Sequence, residues 1–105
     1  MNETAKTFST YFSIPEANHH LLEGLKHPEF PAVAVFLGAH YPERVIKRFK
    51  ITGEILQKYG WEVVWYKPES NDSFAQSLQT LLFSSLITEY LCLEYGEDSL
   101  SIPTV

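Results

Sequence analysis

A chain of 105 residues can hold one modest hydrophobic core and is too short for two independent domains. Its 45% hydrophobic content belongs to a folded chain, and its formal net charge of −5 excludes the broad basic face that nucleic-acid binding requires. The lone cysteine, Cys92, excludes an internal disulfide and every cysteine-based zinc spacing.

The first ten residues, MNETAKTFST, lack the basic-then-apolar pattern of a secretory leader. No apolar run approaches the roughly 20 residues needed to span a bilayer. The expected compartment is the cytoplasm. Residues 1–8 read as the last turns of a helix, and Tyr11-Phe12 as a short strand. Ser13-Ile14-Pro15-Glu16 has the capping-box pattern, which predicts a helix starting near Pro15.

Residues 31–37 (PAVAVFL) are continuously apolar and end at Gly38, the pattern of a strand in a parallel sheet. From about Pro42 to Tyr59, the residues Val45, Ile46, Phe49, Leu56 and Tyr59 recur at helical spacing, and Gly60 is placed to stop the helix. Residues 61–66 (WEVVWY) form a second strand. Strand, helix and strand make one βαβ unit, expected to be right-handed. A long helix follows from about Asn71 to Tyr95, capped by Asn71 or Asp72 and ended by Gly96. Its apolar residues spread around much of the helix, which predicts heavy burial. The expected fold class is α/β, with a parallel sheet so narrow that its edges call for further strands or a partner.

One polar cluster stands out: Asn2, Glu3, Asn18, His19 and His20. Its plainest reading is a solvated helix end. A metal site is disfavoured because adjacent helical residues point about 100° apart, so His19 and His20 do not share one ion. A carboxylate with a histidine, however, suits proton transfer next to a carbonyl. His27 and His40 fall in loops and read as turn residues. Cys92, Trp61 and Trp65 read as core. The run Arg44, Lys47, Arg48 and Lys50 reads as the wet face of the middle helix, with phosphate binding or partner contact as the alternative.

Asn2-Glu3-Thr4-Ala5-Lys6, followed by Pro15-Glu16-Ala17-Asn18-His19, resembles the start of the C-terminal sugar isomerase (SIS) domain of the bifunctional phosphoglucose/phosphomannose isomerases. VIKRFKITGEILQKYGWEVVWYKPES and EYGEDSLSIPTV resemble later segments of the same domain, in the same order. The resemblance implies a partial SIS-type, flavodoxin-like three-layer fold with a small parallel sheet and flanking helices. It implies a single C-terminal SIS domain over residues 1–105, truncated at its start and open to truncation at its end. Glu3 matches the family's catalytic base and His19 its ring-opening histidine, supplied to the neighbouring subunit. Asn18 is implied as a substrate-binding neighbour.

The implied substrates are glucose 6-phosphate, mannose 6-phosphate and fructose 6-phosphate. The implied assembly is a homodimer, with no metal or other cofactor. Where the family has His-Asn-Glu, this chain has His19-His20-Leu21. The family's catalytic lysine falls beyond Val105 and its phosphate loops belong to a first SIS domain, so the chain alone is expected to be inactive. The alternative is a non-catalytic SIS-type module that binds a sugar phosphate or mediates dimerisation. A third reading is a small flavodoxin-like interaction protein with no ligand.

Overall fold

The computed structural model describes residues 1–27 and 32–101. The expected start of the first strand at Pro31 and the Pro-rich tail after Ser101 lie outside the described residues. The chain forms two compact units, Phe12–Glu69 and the pairing of Met1–Tyr11 with Ser70–Val105.

In the unit Phe12–Glu69 the chain runs through α1 (Ala17–Gly24), β1 (Val33–Leu37), α2 (Glu43–Lys58) and β2 (Glu62–Tyr66). β1 and β2 pair in parallel, with Val33 opposite Glu62 and Leu37 opposite Tyr66. The expected strand–helix–strand unit is therefore formed. Alternation sends Ala34, Phe36, Val63 and Trp65 to the face that α2 packs on. Phe36 is buried there, stacked on Trp65 with ring centroids 4.4 Å apart and meeting Phe49 of α2 edge-on at 5.6 Å. The opposite residues of β1, Val33, Val35 and Leu37, are exposed, so this sheet carries one packed face and one open face.

Gly53 lies in the middle of α2, where glycine ordinarily costs about 1 kcal/mol relative to alanine. Its reason is steric: a Cβ at this position would run into the Trp65 indole ring. α2 opens with acidic Glu43 and closes with basic Lys58, both favourable to the helix dipole. It ends as expected at Gly60. The Trp61 N–H donates to the Leu56 carbonyl at 3.0 Å and the Gly60 N–H to Gln57 at 3.0 Å, a Schellman closure that needs the left-handed φ of 87° at Gly60.

The second unit is built around α3 (Ser73–Tyr95). Asp72 caps it, its carboxylate accepting from the Ala75 N–H at 2.8 Å. At the far end the Glu97 N–H donates to the Cys92 carbonyl at 2.9 Å, and Gly96 takes the left-handed conformation. Both ends match the sequence expectation. The expected heavy burial does not appear. Only Gln76 and Cys92 of α3 are buried, while Leu81 is 63% exposed and Leu93 77%. A helix that is apolar all round needs neighbours on several sides, and the described residues cover little of it.

Four local expectations are corrected. Tyr11-Phe12 forms no strand; both side chains are exposed and two residues offer too little ladder to pair. Residues 1–8 make one turn, closed by the Ala5 N–H to the Met1 carbonyl at 3.0 Å, and no helix. A lone turn fixes several dihedrals for one bond and does not propagate past Lys6, whose φ is 52°. The helix expected near Pro15 starts at Ala17, and no side-chain capping bond forms at Glu16. The Ile14–Pro15 bond is cis, and the Ala17 N–H donates to the Ser13 carbonyl at 2.7 Å. Trp65, expected in the core, is half exposed at its outer edge.

Candidate functional site

Glu3 stands in the N-terminal turn with its side chain exposed. Its backbone is pinned on both sides. Asn2 clasps Ser9 in a two-way arrangement: its Nδ2 donates to the Ser9 carbonyl at 2.7 Å and its Oδ1 accepts from the Ser9 N–H at 2.8 Å. Lys6 Nζ donates to the Glu3 carbonyl at 2.6 Å and to the Ser101 carbonyl at 2.8 Å. The left-handed φ of Lys6 costs about 1–2 kcal/mol for a non-glycine residue, and these two charge-assisted bonds offset it. Asn2 and Lys6 thus have structural work in the Asn-Glu-x-x-Lys segment. Of Asn2, Glu3 and Lys6, Glu3 is the one whose side chain has no hydrogen bond or ion pair among the described residues.

Asn18 and His19 occupy the first turn of α1. His19 is exposed, with its backbone N–H bonded to the Glu16 carbonyl at 3.0 Å. Asn18 points toward α2. Its Nδ2 donates to Thr52 Oγ1 at 2.7 Å, and Thr52 Oγ1 in turn donates to the Arg48 carbonyl at 2.7 Å. This relay fixes the amide orientation of Asn18 and ties the helix that carries His19 to α2. It also leaves Asn18 Oδ1 buried with no hydrogen-bond partner among the described residues. An unfilled buried acceptor ordinarily costs about 1–3 kcal/mol.

The Asn18–Thr52 pair sits at the floor of an open cleft of about 390 Å³, whose lining includes Leu22, Ile51, Arg44, Lys47 and Arg48. Thr52 is the residue that sequence reasoning missed. Its only signal was a β-branched polar residue within α2, four positions after Arg48, where a hydroxyl can bond the preceding turn.

Glu3 belongs to one unit, and Asn18 and His19 to the other. Among the described residues no group of three or more His, Cys, Asp or Glu side chains is placed to hold a metal ion. No helix among them is long and apolar enough to cross a membrane. His27 and His40 lie in bends outside the helices and strands. Cys92 is buried, its thiol 3.4 Å from the Thr4 carbonyl, the packing role expected of it.

Helix-flanked parallel strands, with polar groups gathered at the start of α1, define a parallel α/β domain of the kind that presents a ligand site at element ends. The chain belongs to the family described as the bacterial phospho-glucose isomerase C-terminal SIS domain, whose model matches residues 1–105. A similar protein is the bifunctional phosphoglucose/phosphomannose isomerase of Aquifex aeolicus (strain VF5), 28% identical over 108 residues. That match covers 100% of this chain and 34% of the relative, so the chain spans about a third of the relative's length. No solved structure was found to match.

Proposed function

We propose that this chain is the C-terminal SIS domain of an aldose–ketose isomerase that interconverts glucose 6-phosphate or mannose 6-phosphate with fructose 6-phosphate. The observation that carries the reading is the family match over the whole chain, with Glu3 and His19 standing in the segments that resemble the family's catalytic ones.

In this reading His19 opens the sugar ring, taking the proton of the anomeric hydroxyl and returning one to the ring oxygen. Glu3 then removes the proton from C2 of the open aldose. Electrons move into the C1–C2 bond, O1 gains a proton as O2 gives one up, and the cis-enediolate takes the carbon-bound proton back at C1 to give the ketose. No net redox change and no added co-reactant are needed. A carboxylate with no hydrogen bond or ion pair among the described residues, such as that of Glu3, is available for that task. Asn18 is assigned to substrate binding. The reaction calls for no metal, and the enzyme is placed in the cytoplasm as a homodimer in which His19 serves the neighbouring subunit.

With His19 serving the neighbouring subunit, each active site is shared between two chains. A complementation experiment tests it. Glu3→Gln and His19→Gln are made separately in the full-length isomerase, and each should lose on the order of 10²–10⁴ in kcat. Mixed dimers should regain one intact site, because one subunit supplies Glu3 and the other His19. Mixed dimers as inactive as the two parents would reject a shared site.

A further inference from the structure

α1 has 8 residues, no side-chain bond at its N-cap, and neither an acidic residue in its first turn nor a basic one in its last. A helix that short does not hold itself together in water, so its position depends on what its side chains reach. Asn18 reaches Thr52 of α2, its Nδ2 donating to Thr52 Oγ1 at 2.7 Å. The threonine hydroxyl itself donates to the Arg48 carbonyl at 2.7 Å. It therefore meets Asn18 as an acceptor, and only the nitrogen end of the amide fits against it.

The anchor is rigid where the helix it holds is not. Thr52 is 6% exposed, and the next residue, Gly53, lies so close to the Trp65 ring that a Cβ has no room. Thr52 is thus tied to the body of its unit through α2 and β2. Asn18 Oδ1 is buried without a hydrogen-bond partner among the described residues, so among them the amide is held at its nitrogen end alone. Adjacent helical residues leave the axis about 100° apart. Pinning Asn18 against α2 therefore sets the rotation of α1, and with it the direction in which exposed His19 leaves the helix.

We propose that Thr52 is a positioning residue for ring opening: through its bond to Asn18 it sets the rotation of α1 and so aims His19 at the anomeric hydroxyl and the ring oxygen of the sugar. The proposal rests on the reading of His19 as the ring-opening residue. Thr52 is buried and gives or takes no proton in the reaction. Its contribution is the alignment of a proton-transferring group, where a displacement of about 1 Å costs on the order of 10² in rate.

The test uses the full-length isomerase and reads ring opening by itself, as catalysed exchange between the α and β anomers of glucose 6-phosphate followed by magnetisation-transfer NMR at saturating substrate. His19→Gln should abolish the exchange. Thr52→Val should slow it by about 10–100-fold while leaving the affinity for glucose 6-phosphate, read by calorimetry, unchanged. Thr52→Ser, which keeps the hydroxyl, should restore it, a recovery that a purely packing role for the Thr52 methyl would not give. Thr52→Ala removes the hydroxyl without adding a methyl to the buried site and should slow the exchange as Thr52→Val does, so the test stands if one of the two fails to fold. Circular dichroism at the assay temperature should match the parent for each variant assayed. Asn18→Ala combined with Thr52→Val should slow exchange little beyond the slower single variant, because both break one bond. Exchange at the parent rate in Thr52→Val or Thr52→Ala, beside its loss in His19→Gln, would overturn the role of Thr52 and leave that of His19 standing. So would weakened affinity with unchanged exchange at saturation, or a Thr52→Ser variant as slow as Thr52→Val. Exchange untouched by His19→Gln would overturn the ring-opening reading and this proposal with it.

Discussion

Asn18 and Thr52 show how one hydrogen bond can decide which way a functional segment faces. Thr52 Oγ1 accepts from Asn18 Nδ2 and donates to the Arg48 carbonyl, so the hydroxyl is used in both directions. Thr52→Val keeps the shape of the side chain and removes both bonds. The Asn18 amide is then unfilled at both its nitrogen and its oxygen. The expected loss of stability is about 1–3 kcal/mol, read by chemical denaturation of the chain. A variant as stable as the parent would show that the relay contributes nothing. The sequence singled out Asn18 only as a substrate-binding neighbour of His19, and its bond to α2 was not legible, because a threonine within a helix gives no sign of which neighbouring element its hydroxyl will reach. Asn2 shows the reverse: grouped with Glu3 in the sequence cluster, it proves to be committed to Ser9.

At the scale of elements, α2 and its two strands carry the clearest sequence record. The period of Val45, Ile46, Phe49 and Leu56 located the helix, and Gly60 located its end, because only a residue tolerant of positive φ closes a helix in that way. The caps of α3, Asp72 and Gly96, were legible for the same reason. The elements misjudged from sequence are those whose formation depends on neighbours. Tyr11-Phe12 is a two-residue run with nothing beside it to complete a ladder, and the turn at residues 1–6 is too short to propagate. The capping-box pattern at Ser13–Glu16 is not used as a cap: α1 starts at Ala17 with no side-chain bond at its N-cap.

Gly53 offers a test of the α2–β2 packing. Gly→Ala inside a helix normally stabilises by about 1 kcal/mol. Here the new methyl group meets the Trp65 ring, and overpacking of that kind costs about 1–3 kcal/mol. Gly53→Ala should therefore lower the thermal midpoint, and adding Trp65→Leu should recover the helix gain. A stabilised Gly53→Ala single variant would mean that the ring moves aside without penalty.

For the molecule as a whole, the sequence made the α/β class legible, but not how little of the apolar surface is covered. Among the described residues only Ala5, Phe36, Leu56 and Cys92 are buried hydrophobics, while α3 and the outer side of β1 leave large apolar groups in water. Runs such as PAVAVFL and the leucines of α3 have the composition of surfaces packed on more than one side, and sequence composition does not say which chain supplies the cover. The match to about a third of a longer isomerase accords with that pattern. The expectation that the chain alone turns over no substrate belongs at this scale: a coupled assay of the 105-residue chain with fructose 6-phosphate should show no activity above background. Robust turnover would show that the chain holds a complete site.

The central claim is that Glu3 is the base that moves the proton between C1 and C2. It is tested most directly in the full-length isomerase by following deuterium uptake from heavy water at C2 of glucose 6-phosphate. The wild-type enzyme should wash deuterium into C2, and Glu3→Gln should abolish that exchange while leaving substrate binding in place. Exchange retained at the wild-type rate in Glu3→Gln would contradict the assignment.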